Sequence, residues 1–344
     1  MSRRKENVLV CDCEANEVES LCEALNQNEQ VFNIKSHVAN WKRTGKISEI
    51  KRYLKYFGVA FRYFANRNKY DVIIGWQQFY ALIFCFYSSI LHTKKRNTVV
   101  ALNYTYKDKG GKLGKIYKWF MKKCLNPKYL DYIHVPSQSY AKITSELFGF
   151  PIENIIVSPF GINDPWEQFS KLNTPDNAPT EGYVLSIGRS NRDYDFLIEA
   201  WKTIDFPLVI ISDTYVGDNK GNRNIQIIRN VAGEQSYPWI ANCKAMIIPI
   251  DDGTICSGDT VLLTSLAMKK KVLITYPSTL AEMYIVHEQN GLLVSKEANR
   301  FSAIVSEMIF TSKYDYLQDN ARESYLKNYS RGSMGEKLYR NIFC

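Results

Sequence analysis

Short β-branched runs alternate with helix-periodic segments along almost the whole chain, and no other feature constrains the fold as much. In the first half the runs are VLVCD (8–12), VFNI (31–34), DVIIG (71–75), NTVVAL (97–102), YIHVP (132–136) and NIIVSPF (154–160). Between the first two, Val18, Leu21, Cys22 and Leu25 recur at helical spacing. Continuous apolar strands separated by amphipathic helices build parallel sheets covered on both faces. Residues 161–182, GINDPWEQFSKLNTPDNAPTEG, break the rhythm with three prolines, two glycines and three asparagines. It restarts with YVLSIG (183–188), PLVIIS (207–212), IQII (225–228), AMIIPI (245–250) and KVLIT (271–275). The pattern predicts an α/β protein of two Rossmann-like, doubly wound domains, 1–162 and 183–325, joined by a linker at 163–182. The polar, helix-patterned end, 326–344, is expected to pack across both. A chain of 344 residues is long enough for two such cores.

Several classes are set aside by composition. The eight cysteines, at 11, 13, 22, 85, 124, 243, 256 and 344, show no CxxC or paired His/Cys spacing. A zinc site or disulfide framework is not expected, and a reducing compartment is. His37, His92, His134 and His287 are isolated from one another and read as structural. The start, MSRRKEN, runs into the first strand without an apolar leader. FYALIFCFYSSIL (79–91) is too short to span a bilayer and reads as a buried helix.

Charge is uneven. Residues 1–165 hold 25 Lys+Arg against 14 Asp+Glu, a net of +11, while the whole chain carries +9. In KISEIKRYLKYFGVAFRYF (46–64), Ile47, Ile50, Leu54, Phe57, Phe61 and Phe64 recur every three or four residues. In GKLGKIYKWFMKKCL (111–125), lysines 112, 115, 118 and 122 line one face, and Leu113, Ile116, Phe120 and Cys124 another. The apolar faces are expected to cover the first domain's sheet. The lysines are expected to draw the protein to an anionic membrane surface.

Two places carry candidate chemistry. The strand YVLSIG runs into Gly188-Arg189-Ser190-Asn191-Arg192, so two arginines follow a parallel strand, where open α/β sheets bind ligands. The guanidinium fork suits phosphate oxygens. The strand AMIIPI runs into DDGTICSGDT, which opens the helix TVLLTSLAM at Ser257-Gly258-Asp259-Thr260. A helix start rich in small residues leaves N–H groups for an anion. If both ends flank one crevice, they converge on a diphosphate.

In order and spacing, residues 183–201, 224–250, 256–275 and YIVHEQNGLLV (284–294) resemble the C-terminal domain of GT-B glycosyltransferases, most closely the retaining family 4. HVPSQSYAKITSELFGFPIENIIVSPFGIND (134–164) is similar to that family's passage into its linker, and ARESYLKNYSRGSMGEKLYRNI to its closing helix. The likeness is weakest over 1–130. It implies that Arg189 and Arg192 stabilise the leaving diphosphate, Arg192 standing where a lysine is usual. Ser257, Gly258, Asp259 and Thr260 would receive the diphosphate, and Asn230-Val231 would hold the base. Two glutamates usual in the family are replaced by Cys256 and Thr264. Thr264 can still bond a ribose hydroxyl, and Asp251 or Asp252 can stand in for the first carboxylate. The histidine of the acceptor side has Asn103 and Thr105 nearest to its place.

The resemblance implies a nucleotide-diphosphate sugar as donor and a saccharide acceptor, expected to be lipid-linked, in surface glycan synthesis. It implies retention and no metal; Asp193/Asp195 and Asp251-Asp252 are not read as metal ligands. The expected location is cytoplasmic, peripheral at the inner face of a membrane. The competing reading is a non-catalytic protein on the same scaffold that binds nucleotide sugar or glycan, and it draws on the missing glutamates. Nucleic acid is not an expected partner, because the chain holds no recognised module for it. No GxGxxG follows the first strand, which argues against a nicotinamide enzyme.

Overall fold

The β-branched runs become strands because each sits between helices that cover both sides of a sheet. A computed structural model describes residues 5–39, 46–255 and 257–344. The described residues form two units, one from those up to 163 with 331–344, the other from those between 164 and 330.

The sheet of unit 1 holds β1 (Glu6–Cys11), β2 (Phe32–Ser36), β3 (Tyr70–Gly75), β4 (Thr98–Ala101), β5 (Tyr132–Val135) and β6 (Ile155–Val157). Its order is β2-β1-β3-β4-β5-β6, and every pairing is parallel. The sheet of unit 2 holds β7 (Val184–Ile187), β8 (Leu208–Ile211), β9 (Ile225–Ile228), β10 (Ala245–Ile248), β11 (Lys271–Thr275) and β12 (Leu292–Val294). Its order, β12-β11-β10-β7-β8-β9, is again all parallel. The strand order reverses between β1 and β3 in one sheet and between β7 and β10 in the other. At such a point the crossing loops diverge and leave a crevice at the carboxyl ends of the strands. The strand β12 is absent from the sequence expectation.

One face of the first sheet packs Val8, Val10, Ile73 and Val99 against the helix Gln78–Ile90, which is buried along most of its length. Among the described residues no helix is long and apolar enough to cross a membrane. The other face packs Leu9, Ile74 and Val100 with the helices Glu19–Leu25 and Arg331–Phe343, through Leu21, Met334 and Leu338. The helix Leu317–Asn328 instead belongs to unit 2 and packs on the helix Asp259–Ala267.

The expectation for the two basic helices needs correcting. In Lys46–Ala65, Phe64 is buried and Phe57 half-buried, but Ile47, Ile50, Leu54 and Phe61 are exposed. The core face is instead Tyr56, Val59, Ala60, Tyr63 and Phe64. In Gly111–Cys124, Leu113 and Ile116 are exposed, and Gly114, Met121 and Cys124 face inward. In Lys46–Ala65 the core takes a neighbouring, largely aromatic arc, whereas in Gly111–Cys124 only the Cys124 end of the expected stripe is fully covered.

Candidate functional site: a pocket at the switch point of the second sheet

A pocket of about 490 Å³ opens at the carboxyl ends of β7, β8 and β9 and against the start of the helix Asp259–Ala267. Of the residues singled out from sequence, it brings together Arg189, Arg192, Val231, Ser257, Gly258, Thr260 and Thr264.

Arg192 is the element most tightly built into it. Its Nη1 donates to the carbonyls of Ser190, Asn191 and Ser257 at 3.2–3.3 Å, while Nε is buried without a partner. The guanidinium lies between two glycines. A Cβ on Gly188 would fall 2.7 Å from Nε, and one on Gly258 2.1 Å from Nη2. Gly258 has φ +106°, which L side chains rarely adopt, and it caps the helix. Burial pulls the Arg192 pKa below its ordinary value, while Tyr194 and Asp259 pull it back up. The arginine stays charged at neutral pH, since its ordinary pKa is far above it. A buried cation therefore stands against the start of a nine-residue helix whose first N–H groups have no carbonyl within the helix. Both favour an anion at the same point.

Arg189 is mostly exposed, and its Nη2 lies 3.0 Å from Oδ2 of Asp213, at the end of β8. The other oxygen of Asp213 accepts from the Asn230 amide at 2.6 Å. Asp213 thus joins the arginine loop to the turn after β9, where Asn230 takes φ +62°. Beyond that turn the wall is less polar: Val231, Ala232, Tyr237 and Ile240 line it. Tyr237 is itself stacked on Phe169 at 4.1 Å. The site runs from a cationic end to a less polar one, the complement of a nucleoside diphosphate, which runs from an anionic diphosphate to a flat base.

The loop after β10 is pinned by a residue the sequence reading passed over. Asn191, at φ +55°, donates to the carbonyls of Asp252 and Ile255 and accepts from the Asp252 amide at 2.7 Å. Ser190 and Ser257 meet hydroxyl to hydroxyl at 3.1 Å. The signal was an asparagine between two arginines, a residue suited to positive φ. Asp213, Tyr237 and Ile240 were missed because nothing local marks them.

Other candidates fall elsewhere. Asp252 does not line the pocket: its carboxylate, at 2.7–2.9 Å, accepts from Thr254 and holds its own loop, and those bonds lower its pKa. Asp259 stands in the first turn of the helix, and Asn230 beside the pocket rather than on its wall. Thr264 is on the wall but almost wholly buried. Cys256 lies outside the described residues. Asp193 caps the helix Tyr194–Ala200 and pairs with Lys296 at 2.7 Å, and Asp195 contacts Tyr215 and Lys220.

Asn103 and Thr105 lie in unit 1 just past β4, already engaged. Thr105 exchanges hydrogen bonds with the Gln78 amide, and Asn103 donates to the Trp76 carbonyl and to Nδ1 of His134. His134 is buried, which lowers its pKa to about 4, and its Nε2 faces Ser158. At the switch point of this sheet stand Asp12, Tyr56 and Gln77 instead. The Tyr56 hydroxyl is 3.5 Å from Asp12 and accepts from Gln77 at 3.1 Å.

No protein-family model matches the sequence, and no curated protein is similar to it. Solved structures are. A glycosyltransferase from Rickettsia africae is 14% identical with a TM-score of 0.66, covering 98% of this chain and 99% of that one. Sucrose-phosphate synthase from Thermosynechococcus elongatus is 14% identical, TM-score 0.64, with the same coverage. HepE from Anabaena, in complex with UDP, is 12% identical, TM-score 0.61, again over 98% and 99%. Identities this low speak to architecture. The chain has the two-domain α/β fold of the GT-B glycosyltransferases, with two six-stranded parallel sheets.

Proposed function

We propose that the chain is a glycosyltransferase that binds a nucleotide-diphosphate sugar in the unit 2 pocket and passes the sugar to a saccharide acceptor. The observation that carries this reading is Arg192, held between Gly188 and Gly258 at a helix start on the sheet's switch point. In this reading the diphosphate lies on Ser257, Gly258, Thr260 and Arg192, with Arg189 released from Asp213 to close on it. The base rests on Val231 and Tyr237 beside Asn230, and the Thr264 hydroxyl faces the ribose.

Charge developing on the leaving diphosphate is met by two arginines and a helix start, a preorganised electrostatic contribution. The chemistry so read needs no metal and proceeds with retention. HepE is known with UDP and with UDP-glucose, which favours a uridine donor as the first to try. The acceptor is a lipid-linked saccharide at the cytoplasmic face of a membrane, and the product a surface glycan. Thr264 and Cys256, in place of two carboxylates, favour one other reading, a non-catalytic binder of nucleotide sugar.

Thermal-shift titration with UDP, GDP, CMP and their sugar conjugates tests the donor site. A ligand at a hundred times its Kd stabilises by about 2.7 kcal/mol. The expected result is a shift with one nucleoside diphosphate, lost in Arg189→Ala, whose exposed side chain can be removed without unfolding. No shift with any of them overturns the reading. A shift without sugar transfer to any saccharide acceptor selects the non-catalytic one.

A further inference from the structure

We infer that unit 1 docks on an anionic lipid bilayer through an apolar ridge shared by the helices Lys46–Ala65 and Gly111–Cys124. The inference rests on the proposed function only for what the membrane carries; the surface itself is argued from geometry.

Ile50, Leu54 and Phe61 are 52–67% exposed, and Leu113, Ile116 and Trp119 52–77%. On the first helix they follow one another at helical spacing, between the buried aromatic arc and the basic arc of Lys51 and Arg62; Lys55 is held by the His37 and Val38 carbonyls. On the second, Leu113 and Ile116 border the inward face and the lysines take the rest, with Trp119 among them. The two helices that carry these residues touch: Phe57 of one and Phe120 of the other, both half-buried, lie 5.9 Å apart. Phe120 and Trp119 both contact Phe86, at 4.8 and 6.1 Å. Lys109 sits over Tyr53 and Tyr117, one ring from each helix. Large apolar side chains standing together in water mark a surface meant to be covered.

The charges choose the occupant. The helix Gly111–Cys124 carries lysines 112, 115, 118, 122 and 123 and no acidic residue. A second copy on a two-fold axis would set these lysines against themselves. A nucleic acid would pair with the lysines but leave Leu113 and Ile116 in water. A bilayer with anionic headgroups satisfies both, the apolar ridge entering the interface while the long basic stems reach up to phosphates. Lysines shared with an apolar ridge also explain why the basic excess lies in this half of the chain.

The test is flotation of the full chain with vesicles of phosphatidylcholine alone or mixed with phosphatidylglycerol. Binding is expected only to the anionic vesicles, weakened but retained from low to physiological salt. Leu113→Ser with Ile116→Ser should cut the bound fraction by about tenfold, and Lys115→Glu with Lys118→Glu should do the same. Trp119 emission, isolated by subtracting a Trp119→Phe variant, should shift blue and be quenched by brominated lipid. Equal binding to both vesicle types, or binding indifferent to Leu113→Ser with Ile116→Ser, overturns the inference. So does a dimer in vesicle-free solution that those two changes dissociate, since a second copy then covers the ridge. Nucleotide titration of the same variants separates the two proposals: flotation without nucleotide binding sinks only the donor site, and the reverse sinks only the docking surface.

Discussion

At Gly258 a single methyl group would lie 2.1 Å from the Arg192 guanidinium, on a backbone already at φ +106°. Gly258→Ala therefore has to push the arginine away and strain the helix start. We expect a loss of about 1–3 kcal/mol in stability and loss of nucleotide-induced stabilisation, both read in one thermal-shift series. A variant that melts lower but still answers to nucleotide would mean that Arg192 is structural. His134 gives a second prediction at this scale. Its pKa of about 4 lies below the ordinary 6.5 because burial disfavours the cation. The unfolded chain then takes up the proton first, so this contribution is complete above about pH 6.5 and is lost as pH falls toward 4, by up to about 3 kcal/mol. Denaturation curves between pH 7 and 4.5 should show a slope that is reduced in His134→Gln.

The loop after β10 depends on an element-to-element clamp. Asn191→Gly keeps the positive φ at no cost and deletes three hydrogen bonds to residues 252–255. A loss of about 1–3 kcal/mol is expected, with faster amide exchange across 251–258 and a weaker nucleotide response. Unchanged exchange there would show that the loop stands without the clamp. Sequence reading reached most elements at this scale, because each β-branched run needs a sheet and each periodic segment a face. What it misjudged was which face. Leu113 and Cys124 looked equivalent on one stripe, yet Cys124 is buried and Leu113 is 77% exposed. Periodicity locates an apolar arc but carries no information on how far the neighbouring layer extends over it.

Unit 1 is closed by the last helix of the chain, Arg331–Phe343, packed on Glu19–Leu25 through Met334, Leu338 and Tyr339. Ending the chain after Ser330 would uncover Leu21 and Leu25, both fully buried. Unit 2 keeps all six of its strands. The expected outcome is a first denaturation transition at markedly lower urea for unit 1, while nucleotide still protects unit 2. A truncated chain with an unshifted profile would mean that this helix adds nothing to the core.

The sequence by itself determined the strands, their parallel βαβ wiring and the arginines beyond β7, since these follow from local pattern and from chain direction. Only the tertiary structure decided that Asp213, Tyr237 and Asn191 belong with those arginines. It also tied Asn103 and Thr105 into internal bonds, and left the ridges of two helices uncovered. Those outcomes depend on side chains meeting across strands far apart in the chain, and no single stretch of sequence encodes such a meeting.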